Sequence, residues 1–156
     1  MRERKVTEEI PRGNETVLVV EDNETVRMLA ARILKRQGYE VLQAADGEEA
    51  VLLCKDRRDP FRWCSPSASR HGGRSAYAVR ADLHLVLTDV VMPRMSGPKL
   101  VERLRQVCQG LKVLYMSGYT DDTIVHQGVL EGRIDYIQKP FTLENLSRRV
   151  REVLDR

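Results

Sequence analysis

The chain has 156 residues and a net charge of +3, and its 42% apolar and 31% charged residues are typical of a soluble globular domain that can bury a core without disulfides. No apolar run approaches the roughly 20 residues of a membrane helix, and the charged start, Met1–Lys5, is followed by no apolar segment that would make a secretory signal. The three cysteines form no CxxC pair and the three histidines lack metal-ligand spacing, so we expect reduced thiols in a cytosolic protein.

The chain starts with a charged leader and a first strand. Residues 1–14 are polar and charged and are predicted to be a tail or linker, which places the folded domain at 15–156. Thr16–Val20 is a short apolar run that predicts a strand, and an amphipathic helix follows it. Asn23 can cap this helix, and Gly38 can end it at the C′ position. Its predicted apolar stripe consists of Val26, Leu29, Ala30, Ile33 and Leu34.

Strands and helices keep alternating through the rest of the chain. The further predicted strands are Tyr39–Ala44, Leu83–Thr88, Lys112–Met116 and Asp135–Gln138. The further predicted helices are one capped by Asp46 with Glu49 three residues on, one starting at Ser96 and Pro98, a shorter one at 121–130, and a last one capped by Thr142 that carries Leu143, Leu146, Val150 and Val153. Five units of strand and helix predict an α/β fold, in which helices cover both faces of a parallel sheet.

The connection between the second helix and the third strand is unusually long. Residues 56–82 show no clear periodicity, whereas such connections normally take a handful of residues. Between Lys55 and Arg80 seven basic residues outnumber two acidic ones, so this part has a charge of +5 and the rest of the chain −2. No direct nucleic-acid binding by the domain as a whole is therefore expected. We interpret 56–82 as a solvated surface insertion; a contact with a partner or nucleic acid, and an extra packed element, stay open.

Polar residues follow the predicted strands, whose carboxyl ends meet at one edge of a parallel sheet. They are Glu21 and Asp22 after the first strand, Asp89 after the third, Ser117 after the fourth, and Lys139 with Pro140 after the fifth. Three acids cannot all stay ionised a few ångströms apart without a cation, because like charges raise one another's pKa. A divalent ion held by oxygens resolves this, and Mg²⁺ fits best because it takes few protein ligands together with a phosphate oxygen.

With such an ion bound, Asp89 could attack phosphorus as a nucleophile and form an aspartyl phosphate. The charge that develops on the phosphoryl oxygens would be met by the metal, the Lys139 ammonium group and the Ser117 hydroxyl. Gly118 leaves room beside Ser117 for the phosphoryl group. The sequence thus predicts a phosphoryl-transfer site at this edge of the sheet.

These residues, in this order, resemble the receiver domain of two-component response regulators, and most of all the C-terminal receivers of hybrid sensor histidine kinases. The matching segments are VLVVEDN, LVLTDVVMPRMSG, VLYMSGYTD and YIQKPF. The resemblance implies a flavodoxin-like, doubly wound five-stranded sheet of order 2-1-3-4-5. Three features depart from the family pattern: Ser117 stands where Thr is more frequent, His84 replaces an acid, and the insertion at 56–82 is atypical.

The resemblance also implies a role for each site residue. Asp89 is the phosphoacceptor, which receives phosphate from a phosphohistidine. The implied ligands of Mg²⁺ or Mn²⁺ are Asp22, Asp89, the Val91 backbone carbonyl and, through a water, Glu21. The implied phosphoryl-binding residues are Ser117, Gly118 and Lys139. The bond between Lys139 and Pro140 is expected to be cis, as in the family.

A switch and a set of partners are implied as well. In the family, a hydroxyl at the Ser117 position moves inward together with an aromatic residue at the Tyr136 position. This movement reshapes the surface made by the helix at 121–130, the fifth strand and the last helix; Tyr136 as a fixed edge aromatic is the alternative. Val26 either docks the phosphodonor or belongs to the core stripe. The implied partners are a histidine kinase or a histidine phosphotransfer domain, and the same surface could hold a homodimer.

Simpler interpretations exist for each motif. Glu21–Asp22 could supply favourable charge at a helix N-terminus, Ser117–Gly118 an ordinary turn, and Lys139 a solvated charge. A phosphohydrolase of the haloacid-dehalogenase type needs a second Asp two residues after the nucleophile, where this chain has Val91. A pseudo-receiver, an interaction module that works without phosphorylation, is the alternative to a phosphoacceptor.

The wider context is an expectation from the family alone. No DNA-binding segment follows the last helix, so we expect either a stand-alone regulator or the receiver of a larger protein such as a hybrid histidine kinase. The chain would not be a stand-alone enzyme, although receivers catalyse their own phosphorylation and dephosphorylation. The expected location is cytoplasmic, with membrane attachment only through a parent sensor kinase.

Overall fold

The structure, a computed structural model, describes residues 9–58, 83–118 and 134–156. The predicted helix at 121–130, residues 59–82 of the predicted insertion and the first eight residues of the predicted leader lie outside this part of the chain. Residues 56–58, the expected start of the insertion, still belong to a helix.

The described elements follow one another in the predicted order, and their bounds differ from the predicted ones by one residue or a few. The strands are β1 (Thr16–Val20), β2 (Glu40–Ala44), β3 (Leu83–Asp89), β4 (Lys112–Ser117) and β5 (Tyr136–Gln138). The helices are α1 (Glu24–Arg36), α2 (Gly47–Arg58), α3 (Gly97–Val107) and α4 (Leu143–Leu154). None of these four helices has the length and apolar character to cross a membrane.

The five strands form one sheet in the order β2-β1-β3-β4-β5, and every neighbouring pair is parallel. This confirms the flavodoxin-like, doubly wound fold. Successive side chains of a strand point to opposite faces, so β1 contributes to two cores. Val17 and Val19 pack with α1 and α4, whereas Leu18 and Val20 pack with α2 and α3. The strand order reverses between β1 and β3, because β2 lies on one side of β1 and β3 on the other. In such sheets a crevice forms at this switch point, at the carboxyl ends of the strands.

Capping groups fix the ends of the two helices that flank β1 and β5. The Asn23 side-chain oxygen accepts a hydrogen bond from the Val26 amide at 3.2 Å, as predicted for an N-cap. Gly38 follows the last turn of α1 with φ +97°, a left-handed conformation that favours glycine. The Thr142 hydroxyl accepts from the Asn145 amide at 3.2 Å and so caps α4. The two N-caps define where α1 and α4 begin, and so where the loops that follow β1 and β5 end.

The starts of the other two helices differ in their chemistry. Asp46 accepts from the Glu49 amide at 2.9 Å, and the Glu49 carboxylate accepts from the Ala45 amide at 2.6 Å. This reciprocal arrangement is close to the predicted capping box. Ser96 occupies the N-cap position of α3, but its side chain makes no capping hydrogen bond.

One member of the predicted α1 stripe is wrong. Leu29 is 47% exposed, and Ala31 is buried in its place. Ala31 therefore belongs to the buried side of α1 and Leu29 does not, so the buried face is rotated relative to the most apolar one. Met28 is also exposed. Surface Leu and Met side chains are ordinary by themselves and do not change the fold assignment.

Candidate functional site

Four charged side chains meet at the carboxyl edge of the sheet. Glu21 and Asp22 follow β1, Asp89 ends β3, and their carboxylate oxygens lie within 4.8 Å of one another. Lys139 follows β5 and its Nζ lies 3.0 Å from Glu21 Oε2 and 3.0 Å from Asp89 Oδ2. Three strand ends distant in sequence are thus joined through one ammonium group.

The register of the strands brings these residues to the same height. β3 pairs with β4 so that Asp89 lies opposite Met116, and the Val90 amide donates to the Met116 carbonyl at 3.1 Å. Ser117 is the last residue of β4, and its carbonyl accepts from the Lys139 amide at 2.8 Å. Asp89 and Ser117 are both almost fully buried. The core strands therefore bring the residues Asp89 and Ser117 to the same carboxyl end of the sheet.

Glu21 is buried and held by the surrounding chain. Only 1% of this residue is exposed, Oε1 accepts from the Asn23 amide at 3.0 Å, and Oε2 accepts from Lys139. Burial raises the pKa of the Glu21 carboxyl, and the neighbouring Asp22 and Asp89 raise it further, against the hydrogen bonds from Asn23 and Lys139 that lower it. The site therefore holds more negative charge than its own chain neutralises.

Lys139 is the cation that the described chain supplies here. Burial alone would lower the pKa of this ammonium group, but its hydrogen bonds to Asp89 and Glu21 outweigh burial, so the pKa is raised. Lys139 therefore stays protonated at neutral pH. The Lys139–Pro140 bond is cis, as predicted.

The donor set fits a hard divalent cation. Two buried carboxylates and the exposed Asp22 present oxygens within 4.8 Å of one another, and one ammonium group cannot balance three acids. Oxygen ligands, a partly open site and excess negative charge are the conditions under which Mg²⁺ binds in proteins. A lone acidic cluster would be weak support; the lysine that bridges two of its members makes the arrangement specific.

The remaining predicted residues lie nearby, and their roles stay predictions. Val91 is 54% exposed in the loop after β3, Gly118 directly follows β4, and Tyr136 is partly buried against the core. Val26 is partly buried and packs on the core formed with α1 and α4. This packing supports the stripe interpretation of Val26 and leaves its docking role a prediction.

One residue of the site was missed in the sequence. Gly97 begins α3, its amide donates to the Val90 carbonyl at 2.9 Å, and a Cβ at this position would collide with the Asp89 carbonyl oxygen. Only glycine lets the helix start this close to the acid-bearing strand end. The sequence did contain a signal for this contact. Glycine does not favour helix formation, so a glycine at the start of a helix indicates a close approach of the backbone.

Comparison with known proteins agrees with this geometry. The sequence matches the profile of the response regulator receiver domain over residues 71–151. It is 33% identical over 144 residues to the sensor kinase CckA of Brucella abortus, covering 92% of this chain and 13% of that protein. It is 24% identical over 142 residues to the sporulation initiation phosphotransferase F of Bacillus subtilis, covering 90% of this chain and 94% of that protein. The chain thus spans a small part of one of these relatives and almost all of the other.

Solved structures give the same result. The receiver domain of the hybrid histidine kinase CckA superposes with a TM-score of 0.61 at 29% identity, covering 89% of this chain and 98% of that one. The chemotaxis protein CheY4 of Vibrio cholerae superposes with a TM-score of 0.66 at 25% identity, covering 90% and 99%. Together with the sheet order and the convergent acids, these likenesses lead to one conclusion: the chain belongs to the family of response regulator receiver domains.

Proposed function

We propose that this receiver domain accepts a phosphoryl group on Asp89 from a phosphohistidine, in a reaction that depends on Mg²⁺ or Mn²⁺. The observation that carries the proposal is the position of Lys139, whose ammonium group contacts both Asp89 and Glu21 at 3.0 Å. A buried carboxylate beside a fixed cation and two further acids is the arrangement that in-line phosphoryl transfer to an aspartate requires.

The acids would divide the work of holding the metal. Asp22, Asp89 and the Val91 carbonyl are the proposed direct ligands, and Glu21 acts through a water because both of its carboxylate oxygens already accept hydrogen bonds. When bound, the ion supplies positive charge to the phosphoryl oxygens and lowers the repulsion among the acids. Exposed Asp22 lies at the mouth of this site, where an ion can enter.

The chain's own residues would carry out the transfer. A carboxylate oxygen of Asp89 attacks phosphorus, and the bond from phosphorus to the donor's imidazole nitrogen breaks, returning the electron pair to that ring. Lys139 binds one phosphoryl oxygen in place of a carboxylate oxygen, and the Ser117 hydroxyl and the Gly118 backbone bind another. Because Asp89 is almost fully buried, few waters compete with the donor.

The phosphoryl group would then act as a switch. It adds nearly two negative charges at one point, next to Ser117 at the end of β4. Ser117 of β4 lies opposite Gln138 of β5, and Tyr115 lies opposite Tyr136, so the pairing of β4 with β5 would connect a shift of Ser117 to Tyr136. We propose that Tyr136 turns inward and changes the surface of β5 and α4, which a partner or a second copy of the domain would bind.

The domain's setting is proposed from its relatives. A histidine kinase or histidine phosphotransfer domain would be the donor, with Val26 of α1 at the edge of its docking surface. Residues 1–14 would link this receiver (15–156) to a preceding part, as in a hybrid histidine kinase, in the cytoplasm.

Beryllofluoride with Mg²⁺ tests the proposal, because it forms an analogue of the aspartyl phosphate. We expect amide chemical shift changes at Asp89, Ser117 and Gly118 in the wild type and none in Asp89→Asn. An unchanged spectrum in the wild type would instead favour a pseudo-receiver that binds partners without phosphorylation.

A further inference from the structure

The turn between β1 and α1 carries two of the three acids, and a helix side chain reaches back to it. Arg27 lies on the first turns of α1 and is partly buried. Its Nη1 donates a hydrogen bond of 2.7 Å to the backbone carbonyl of Glu21. This contact involves no carboxylate, so Arg27 binds the backbone of the site and not its charged side chains.

The hydrogen bond fixes a specific peptide plane. The Glu21 carbonyl belongs to the planar group that joins Glu21 to Asp22, so holding this oxygen sets the direction in which Asp22 leaves the strand. On the other side, the Glu21 amide donates to the Ala44 carbonyl of β2 at 3.2 Å. Both peptide groups that flank Glu21 are therefore held, one by the sheet and one by Arg27.

Asp22 is the acid that most needs such support. It is exposed, whereas Glu21 and Asp89 are buried, so packing restrains its position least. Small errors in ligand position are costly for Mg²⁺, which demands near-ideal octahedral geometry. The orientation of the Glu21–Asp22 peptide group is thus a direct determinant of how well Asp22 can act as a ligand.

We propose that Arg27 is a positioning residue of the metal site, which orients Asp22 through the Glu21 carbonyl. The inference rests on the proposed function, because it takes the three acids as a divalent-cation site. It assigns to Arg27 a role that its charge alone would oppose: a cation next to a cation site weakens metal binding, whereas a group that positions a ligand strengthens it.

Loss of the charge and loss of the positioning hydrogen bond should change Mg²⁺ affinity in opposite directions, so an experiment can separate them. Arg27→Met keeps the aliphatic stem and removes the donor and the charge, and Arg32→Met removes the same charge from an exposed position of α1, about 140° around the helix. Mg²⁺ affinity is measured by titration of the full chain, followed by amide chemical shifts. We expect roughly tenfold weaker binding in Arg27→Met, the usual scale for groups that orient metal ligands, and wild-type or slightly tighter binding in Arg32→Met. Without Mg²⁺, the chemical shift of the Asp22 amide should already differ from that of the wild type in Arg27→Met. In Arg32→Met it should be unchanged.

Arg27→Lys keeps the charge and a shorter donor, and it covers the case in which Arg27→Met does not fold. We expect its Mg²⁺ affinity to lie between those of the wild type and Arg27→Met. Wild-type or tighter Mg²⁺ binding in the folded Arg27 variants would overturn the positioning role. If the wild type itself bound no Mg²⁺, or if Asp22→Asn bound it equally well, the proposed metal site would be wrong and the role assigned to Arg27 would go with it.

Discussion

The two ends of the sheet hold their charges in opposite ways. At the carboxyl end, three acids share one lysine within a few ångströms. At the amino end, Glu15 precedes β1 and receives two hydrogen bonds from Arg151 of α4, at 2.6 Å and 3.1 Å. Arg151 also pairs with Asp155 at 2.7 Å. At the carboxyl end three acids surround one ammonium group, whereas at the amino end a guanidinium group makes two hydrogen bonds to the same carboxylate.

The two carboxyl groups respond to these surroundings in opposite directions. The hydrogen bond from Arg151 holds the pKa of Glu15 below its usual value, although burial raises it. Burial and the neighbouring acids raise the pKa of Glu21. The amino end therefore stabilises the fold through charge, whereas the carboxyl end retains an electrostatic cost that a bound cation would relieve. Substitutions at the amino end should therefore change stability alone. Substitutions at the carboxyl end should change function more than stability.

The largest effect should come from removing the lysine of the site. Lys139→Met leaves Glu21 and Asp89 without their shared cation, so we expect phosphorylation by acetyl phosphate to slow by about 100-fold. Losing one partner of a buried ion pair should also lower the free energy of unfolding by about 3 kcal/mol. Phosphorylation kinetics and urea unfolding check this, with exposed Lys99→Met of α3 as the control. A Lys139→Met protein phosphorylated at the wild-type rate would contradict the role of the ammonium group.

The next effect concerns the amino end. Arg151→Met removes the paired hydrogen bonds to Glu15, and we expect a loss of about 2 kcal/mol in the free energy of unfolding with no change in the phosphorylation rate. A double-mutant cycle with Glu15→Gln isolates the pair, for which about 1 kcal/mol of coupling is expected. Slower phosphorylation in a folded Arg151→Met protein would break the separation between the two ends.

The pH dependence of stability should differ in sign between the ends. The raised pKa of Glu21 means that the folded state holds its proton more tightly than the unfolded state, so Glu21 costs stability as pH rises above 4.5. Glu15, whose pKa is lowered, stabilises the fold above 4.5, and this contribution is lost as pH falls below that value.

Two matched variants separate these contributions in the absence of divalent cations. Glu21→Gln should become more stable relative to the wild type as pH rises from below 4.5 toward neutral, because the variant has no carboxylate to ionise in the buried site. Glu15→Gln should be less stable than the wild type at neutral pH, and the difference should shrink in acid. Urea unfolding at a series of pH values measures both; the same trend in the two variants would refute the contrast.

The smallest effect is expected away from both ends. Ser147 of α4 is fully buried, and its hydroxyl has no hydrogen-bond partner among the described residues. Ser147→Ala removes an unsatisfied polar group, so we expect a gain of up to about 1 kcal/mol. A loss of stability in thermal unfolding would show that this hydroxyl has a partner beyond the described residues.

The sequence predicted the features that depend on local pattern and chain order. The apolar runs gave the strands, and the acid or lysine after each run gave the members of the site, because the ends of parallel strands meet. Leu29 shows the limit of the pattern, since apolarity alone does not determine which face of α1 rests on the sheet. The contacts from Arg151 to Glu15 and from Arg27 to the Glu21 carbonyl could not be predicted, because they depend on tertiary packing and, for the first, on residues 136 apart in the chain.

We propose above all that Asp89 accepts a phosphoryl group at the site formed by these acids and Lys139. Intact-protein mass spectrometry after incubation with acetyl phosphate and Mg²⁺ tests it most directly. We predict one phosphate adduct in the wild type, none in Asp89→Asn, and none in the wild type when EDTA removes the metal. An unmodified wild type, or an adduct that persists in Asp89→Asn, would contradict the role of Asp89 as the phosphoacceptor.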